Sequence, residues 1–160
     1  MEGHPADRSS KRRAFMSEAF PAIFVAIAGG LAIGLQTLFS GALGHRLGIM
    51  ESVFIVHVGG LALAGLILLF MRGGNLIAWR NVPWYVLSAG FIGVAIVASV
   101  SYAVPRLGLA GTLTLTIVSQ LTIGAVLDHF GWLGAVQHSL DPPRVIGMLI
   151  MFTGTWLLLR

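Results

Sequence analysis

Apolar runs separated by short polar segments make up most of the chain. There are five of them, and the first four are long enough to cross the hydrocarbon of a bilayer as helices, which takes about 20 residues. We therefore predict an all-α fold, an integral membrane bundle of five transmembrane helices. Residues 1–17 form a basic, mobile tail in this prediction and residues 18–160 the membrane domain, with spans at about 19–40, 53–71, 84–104, 109–127 and 145–159.

The connections between these runs set their arrangement. A linker is predicted at residues 41–52, and the short turn Pro105-Arg106-Leu107-Gly108 should make the third and fourth spans antiparallel neighbours. The fifth run lies between Arg144 and Arg160 and reaches only about 22 Å as a helix. It crosses the membrane if both arginine side chains extend to the headgroups and the bilayer thins.

The fourth span carries many polar side chains for a membrane helix. Thr112, Thr116, Gln120 and Gly124 lie four residues apart, so they form one slowly drifting stripe along an apolar helix. An amide in hydrocarbon is costly without a partner, so the stripe should face other helices or a wet cavity. We interpret this helix as the lining of a transport pathway. For the threonines, hydrogen bonds within their own helix or to a neighbouring one are an equally good explanation.

Polar residues of the other spans are candidates for the same pathway. Glu51 is equally well explained as a charge that favours the start of a helix, and Tyr102 as an interfacial anchor. For His57, a neutral side chain bonded to a neighbouring helix is the better single explanation. The predicted pathway residues are Gln36, His57, Tyr102, Thr112, Thr116 and Gln120, and the candidates for ion coupling are Glu51, His57 and Asp128. We expect Gly30, Gly34 and Gly60 to lie where helices pack closely.

Composition narrows the class of protein. Hydrophobic residues make up 56% of the chain and charged residues 10%, whereas about a quarter of a soluble domain is charged. No cysteine is present, which excludes disulfides and thiolate sites. Without a nucleophile and base pair, a metalloprotease motif or a phosphate-binding loop, we predict no enzyme, and we expect no cofactor, metal or nucleic-acid partner.

The distribution of charge predicts orientation. Of the ten Lys and Arg residues, seven fall on the N-terminal side of the predicted bundle and three on the other, which places the N-terminus in the cytoplasm. Four of the seven lie in the tail, so the membrane body by itself is balanced, three against three. Five helices enclose a solute poorly, and many transporters consist of two repeats of opposite orientation. We expect a homodimer or a heterodimer with a paralogue, in opposite orientations within the lipid bilayer.

Several short motifs resemble the YdcZ-like branch of the drug/metabolite transporter superfamily, which is related to the EamA-type transporters. The similarity covers nearly all of residues 19–159, and Leu127-Asp128-His129-Phe130-Gly131-Trp132 together with Gln120 is its most specific part. The other pieces are Gln36 with Leu43-Gly44, Val82-Pro83-Trp84 and Pro105-Arg106-Leu107-Gly108.

The resemblance implies a bacterial inner-membrane protein that is half of a ten-helix transporter and exports or exchanges small molecules. More distant multidrug relatives exchange protons through a carboxylate in their first helix, but residues 20–42 contain no acid here. That mechanism is therefore not expected. The leading hypothesis is a dimeric secondary transporter of small metabolites or drug-like molecules, whose particular substrate the sequence does not identify. The alternatives are a scaffold or accessory subunit that transports nothing, and a lipid-handling protein.

Overall fold

The computed structural model describes the backbone of residues 5–160 and the side chains of residues 19–160. Within that range the chain is helical and contains no strand, which confirms the all-α prediction. The helices are α1 (Pro5–Leu47), α2 (Ile49–Phe70), α3 (Trp84–Leu87), α4 (Ala89–Phe130) and α5 (Pro142–Leu158), with 3-10 turns at Leu76–Asn81 and Trp132–Gly134.

Two units divide the chain, Met1–Gln36 and Thr37–Arg160. In the first unit, residues 5–36 are the N-terminal part of α1. The predicted tail therefore includes helical residues from Pro5 onward, whereas residues 1–4 lie outside the described range. Its mobility stays a prediction.

The predicted linker at residues 41–52 is wrong, because α1 and α2 together occupy almost all of it. The helices are interrupted only at Gly48, whose φ of 119° and ψ of 157° are outside the helical region. Glu51 follows in the first turn of α2, where a carboxylate is favoured by the helix dipole. The polar residues His45, Arg46 and Glu51 were interpreted as part of a linker, but they lie in the last turn of α1 and the first turn of α2.

Helix α4 is a helical hairpin rather than one long rod. Its 42 residues would extend about 63 Å if they were straight. Gly108 breaks it with φ 74° and ψ 166°, and residues from both sides, among them Ile92 and Gln120, line one cleft. We call residues 89–107 the first arm and residues 109–130 the second arm. The predicted antiparallel pair is confirmed, although the helix continues through Pro105 and turns only at Gly108.

Helix α5 runs along the second arm in the opposite direction. A Cβ on Gly111, near the start of that arm, would lie 3.0 Å from Leu159, just past the end of α5. Arg144 and Gly147, near the start of α5, line a cleft with Asp128 at the other end of the arm. Asp141 caps α5 by accepting a hydrogen bond from the Arg144 amide at 3.1 Å, and two prolines follow this cap. The helix has 17 residues, about 26 Å, so it matches most of the second arm in depth.

Small residues form the interior, and large apolar side chains point outward. The buried hydrophobic residues are all valines, whereas Leu, Ile and Phe side chains along every long helix are exposed. A membrane protein is built in this way, because lipid solvates large side chains and small ones let helix backbones approach. The buried polar residues are equally small: Thr37, Ser40, Ser52, Ser101, Thr112 and Thr155.

A cluster of three buried serines joins the end of α1, the start of α2 and the first arm. The Ser52 hydroxyl donates to the carbonyl oxygen of Ser40 at 3.0 Å and lies 3.0 Å from the Ser101 hydroxyl. Gly44 packs against Ser101 so closely that an added Cβ would lie 2.8 Å from its Cβ and 2.9 Å from its carbonyl oxygen. Backbone and serine therefore occupy the space that a side chain at Gly44 would need.

We expect Gly44→Ala to destabilise the helix packing, whereas Gly90→Ala leaves it intact. The added methyl group collides with Ser101 backbone at the first site, and no described atom lies within 4 Å of a Cβ at the second. Overpacking of this kind costs about 1–3 kcal/mol. Thermal unfolding of the purified protein, followed by size-exclusion chromatography, compares the two variants. Equal melting temperatures would contradict the close packing at Gly44.

We expect Gly108→Ala to destabilise the hairpin of α4. The φ and ψ of Gly108 lie in a region that is accessible almost only to glycine, and a side chain there costs about 1–3 kcal/mol. Gly90→Ala is the matched control, because Gly90 is helical and no described atom lies within 4 Å of its added Cβ. The same thermal assay should show a lower melting temperature for Gly108→Ala alone. A neutral Gly108→Ala would mean that the turn tolerates another conformation.

Candidate functional site

Two open clefts lie on either side of the second arm. The arm cleft separates the two arms of α4 and has a volume of about 450 Å³. The α5 cleft separates the second arm from α5 and has a volume of about 370 Å³. The arm cleft is lined by Ile92, Ala95, Ile96, Ser99, Val100, Leu115, Thr116, Ser119 and Gln120. The α5 cleft is lined by Gln120, Leu121, Gly124, Ala125, Asp128, Arg144, Gly147, Met148 and Met151.

The predicted polar stripe passes from one cleft to the other. Residues four apart on a helix are offset by about 40°, so a stripe at this spacing winds slowly around the axis. Thr116 accordingly faces the arm cleft, Gln120 lines both clefts, and Gly124 lines the α5 cleft. Gln120 lies eleven residues from Leu109 and ten from Phe130, near the middle of the arm. It is therefore the polar group at mid-depth that both clefts share.

The threonines of the stripe bond to their own helix. The hydroxyls of Thr112 and Thr116 donate to the carbonyl oxygens of Gly108 and Thr112, each at 2.8 Å. Thr114 and Thr122 make the same bond one turn back. These hydroxyls are thus satisfied by hydrogen bonds within their own helix, which is the alternative to a pathway role given above for the threonines.

The Gln120 side chain differs from the threonines beside it. It is exposed, and no hydrogen bond joins its amide to any residue of the described chain. A side-chain amide offers two donor hydrogens and an acceptor oxygen. In hydrocarbon those groups need a partner, which a solute, water or a second protein chain supplies.

Opposite charges lie at the mouth of the α5 cleft. Asp128 is in the last turn of the second arm and Arg144 in the first turn of α5. The motif that includes Asp128 builds this end of the cleft: Gly131 ends α4 in a left-handed conformation, and Phe130 stacks on Trp132 at 4.8 Å. The backbone amide of His138 donates to the Asp128 carbonyl oxygen at 2.9 Å, so the following loop folds back onto the helix end.

The family to which the chain belongs follows from a match over most of its length. The family model described as "Putative inner membrane exporter, YdcZ" matches residues 21–157. This range includes all the residues that line the two clefts. The chain belongs to the YdcZ family. Neither a curated protein nor a solved structure matches it.

Membership in the YdcZ family confirms the resemblance seen in the motifs. The protein is a multi-pass protein of the inner membrane, from a family of exporters, which are transporters rather than enzymes. Three stretches of the described chain are long and apolar enough to cross a membrane: Ala19–Leu47, Ile49–Phe70 and Trp84–Phe130. The last contains both arms of α4, and the shorter α5 completes the predicted set of five.

Three other predicted pathway residues of this YdcZ-family protein belong to the second unit and line neither cleft: His57, Tyr102 and Thr112. Thr112 is buried next to the turn at Gly108, and Gln36 is exposed in the first unit. His57 bonds through Nδ1 to the Val53 carbonyl oxygen at 2.8 Å and packs against Gly93. Tyr102 is exposed, with the Arg106 guanidinium 3.6 Å from its ring centroid. Within Thr37–Arg160 the structure thus brings Thr116 and Gln120 together, but not His57, Tyr102 or Thr112.

The three candidate coupling residues differ in their surroundings. Asp128 lines the α5 cleft, whereas Glu51 lies over Gly48 at the start of α2 and His57 faces the first arm. Of these three, only Asp128 is in a position to meet a solute in either cleft of the described chain. Among the described residues no group of three or more His, Asp or Glu side chains is arranged to hold a metal ion.

The glycines predicted at helix contacts have open surroundings in the single chain. No described atom lies within 4 Å of a Cβ built on Gly30 or Gly60, whereas Gly44 and Gly111 pack tightly. A contact at Gly60 would therefore need another chain, and the packing role of all three predicted glycines stays a prediction. Gly34 is partly exposed.

Sequence reasoning missed two groups of residues. Arg144 was interpreted only as a flanking charge that reaches toward the headgroups, although it also lines the α5 cleft. The serines of the buried cluster were not singled out, because Ser is common in membrane helices and no spacing marks a contact between distant segments. The specific motif around Asp128 could have indicated a site near Arg144. No local pattern in the sequence indicated the contact between the serines.

Proposed function

We propose that this YdcZ-family protein is a secondary transporter that exports or exchanges small metabolites or drug-like molecules, and that its solute contacts Gln120. The observation that carries the proposal is the side-chain amide of Gln120, exposed at mid-depth and without a hydrogen-bond partner in the described chain. Volumes of about 370 and 450 Å³ in the adjoining clefts fall within the range of small-molecule sites.

Physical chemistry favours a transport pathway at this amide. An amide facing acyl chains loses its bonds to water and gains none, a cost of roughly 2–7 kcal/mol. The hydroxyls of Thr116 and Thr122 avoid that cost through bonds to their own helix, but the amide at the end of the longer Gln120 side chain makes no such bond. Contact with a polar solute or with water inside an assembly would remove the cost.

We further propose that two chains of opposite orientation form the transporter. Both clefts are open in the single chain, and a pathway needs walls on all sides. Glycines with open surroundings at Gly59 and Gly60 would allow another helix to approach closely. The balanced charge of the membrane body, three Lys or Arg on each side, is compatible with either orientation. The second chain is another copy or a paralogue, and the basic tail favours a cytoplasmic N-terminus for this one.

The alternatives make different use of the same residues. In a scaffold or accessory subunit, polar side chains would only join helices, as the cluster of Ser40, Ser52 and Ser101 does. Gln120 has no such partner within the described chain, so this alternative requires one on another protein. A lipid-handling protein would bind headgroups along one lipid-facing cleft. Both alternatives predict that no soluble solute depends on Gln120.

We expect Gln120→Leu to abolish most of the export activity, because leucine keeps the bulk of the side chain but removes the amide. Cells that express the protein should release at least one compound faster than cells without it, as measured by mass spectrometry of the medium. In Gln120→Leu that release should fall about tenfold, which corresponds to about 1.4 kcal/mol.

Thr114→Val is the matched control for Gln120→Leu. It also removes a polar group from the second arm, but the Thr114 hydroxyl bonds to Ala110 and the residue lines neither cleft. Export should be nearly unchanged in this variant at an equal amount of membrane protein. Unchanged export in Gln120→Leu would remove Gln120 from the pathway, and the absence of any exported compound would favour the scaffold.

We expect neutralisation of the tail to produce mixed orientations. Changing Arg8, Lys11, Arg12 and Arg13 to Ala leaves three basic residues on each side of the membrane body, so no charge bias remains. The chain has no cysteine, which allows single-cysteine labelling at Gln137 and, on the opposite side, at His45. An impermeant maleimide applied to intact cells should label His45→Cys in the parent, and both sites in the neutralised variant. Labelling that stays one-sided would show that the body itself determines orientation.

A further inference from the structure

The two charged groups at the mouth of the α5 cleft come from different helices and remain apart. Asp128 and Arg144 line the same cavity of about 370 Å³, yet no ion pair within 4.0 Å joins them in the described chain. Because these opposite charges face one cavity without pairing with each other, each can contact a charged group of a ligand.

Local bonds do not use up either charged side chain. The Asp128 contact with the following loop is made by its backbone carbonyl oxygen, so the carboxylate is left over. Asp141 lies outside the cleft and accepts the Arg144 backbone amide as a helix cap. Its oxygen is also 3.9 Å from Arg144 Nε, which is too long for a hydrogen bond, and both side chains are about half exposed. The guanidinium therefore keeps its donors for another carboxylate.

A ligand with only one charge fits this mouth poorly. A cation attracted to Asp128 is repelled by Arg144, and an anion attracted to Arg144 is repelled by Asp128. A molecule with both an ammonium and a carboxylate group can place the ammonium at Asp128 and the carboxylate at Arg144. Arginine is suited to the carboxylate, because its planar fork donates two parallel hydrogen bonds.

The rest of the cleft favours an apolar body behind the charged head. Leu121, Met148 and Met151 supply apolar walls, and Gly124 and Gly147 leave space between the helices. Methionine side chains adapt to ligands of irregular shape. Gln120 lies eight residues from Asp128, about 12 Å along the arm, where its amide can bond to a polar atom at the far end of the ligand.

We propose that the α5 cleft binds zwitterionic solutes of the amino-acid type with a large apolar side chain, the carboxylate at Arg144 and the ammonium at Asp128. This inference rests on the proposed transport function and names the substrate class of the same site. It assigns Asp128 to substrate recognition, beyond its candidacy for ion coupling.

The test compares three ligands that share an indole body. Tryptophan carries both charges, tryptamine lacks the carboxylate, and indole-3-propionate lacks the ammonium group. Binding of tritiated tryptophan to the full chain in lipid nanodiscs is measured by scintillation proximity, with the two analogues as competitors. Wild-type protein should bind tryptophan about tenfold more tightly than either analogue.

Charge variants then identify the residues that make the distinction. Asp128→Asn should weaken tryptophan binding about tenfold and make indole-3-propionate the better competitor, whereas Arg144→Gln should favour tryptamine. The exchange Asp128→Arg with Arg144→Asp keeps both charges and should retain the preference for tryptophan. Glu51→Gln is the matched control, because it removes a carboxylate that lies over Gly48 at the start of α2 and does not line the cleft.

Three results would overturn the inference. The first is the absence of saturable binding for all three ligands. The second is that both analogues compete as well as tryptophan itself, and the third is that Asp128→Asn and Arg144→Gln have no larger effect than Glu51→Gln. Export that depends on Gln120 alongside any of these results would leave the transport function standing and remove only the substrate class. Export that is unchanged in Gln120→Leu would instead contradict the proposed pathway.

Discussion

Hydrocarbon provides no hydrogen-bond partner, and this constraint explains where the polar side chains of the membrane body lie. The threonines of the second arm bond to carbonyl oxygens of their own helix. Ser52 bonds to Ser40 and Ser101 where three helical segments meet. The exposed Gln120 amide has neither kind of partner within the described chain. A polar group in this position is costly in lipid, and this cost is the reason for proposing a solute pathway at Gln120.

The reversal at Gly108 creates the space around Gln120. A straight α4 would be about twice as long as the hydrocarbon is thick and would have no concave side. Because the chain turns back, the first arm covers one side of the second arm, and α5 covers another. Each pair of helices leaves a cleft, and the slowly winding stripe brings Gln120 to both. The conformation of one glycine, Gly108, thus decides whether this part of the chain is one long apolar helix or a helical hairpin with two adjoining clefts.

The α5 cleft joins two features that are seldom combined at a lipid-facing surface. Its walls are apolar and adaptable, but its mouth holds an acid and a base that do not neutralise each other. Membership in the YdcZ family of exporters shows the class of protein, and the clefts supply surfaces on which a solute can act. A second chain of opposite orientation would close these surfaces into a pathway. The function proposed here therefore depends on assembly as much as on the single chain.

Local sequence was sufficient for the elements of this fold. Runs of apolar residues determined the helices and their number, and Pro105 to Gly108 indicated the reversal between the two arms. The four-residue spacing of Thr116, Gln120 and Gly124 determined their common, drifting face. These features follow from helix geometry and from the cost of polar groups in lipid, both of which act within one segment.

Only the tertiary structure decided which of the polar residues share a cleft. His57 and Tyr102 are as polar and as well placed along their helices as Gln120, yet they face the first arm and Arg106 instead. Arg144 lines the α5 cleft with Asp128 because α5 packs antiparallel to the second arm, and the three serines meet because distant helices cross. Such contacts depend on how helices rotate and cross, which small side chains permit in many ways. The sequence of one helix contains no record of the face that its neighbour covers.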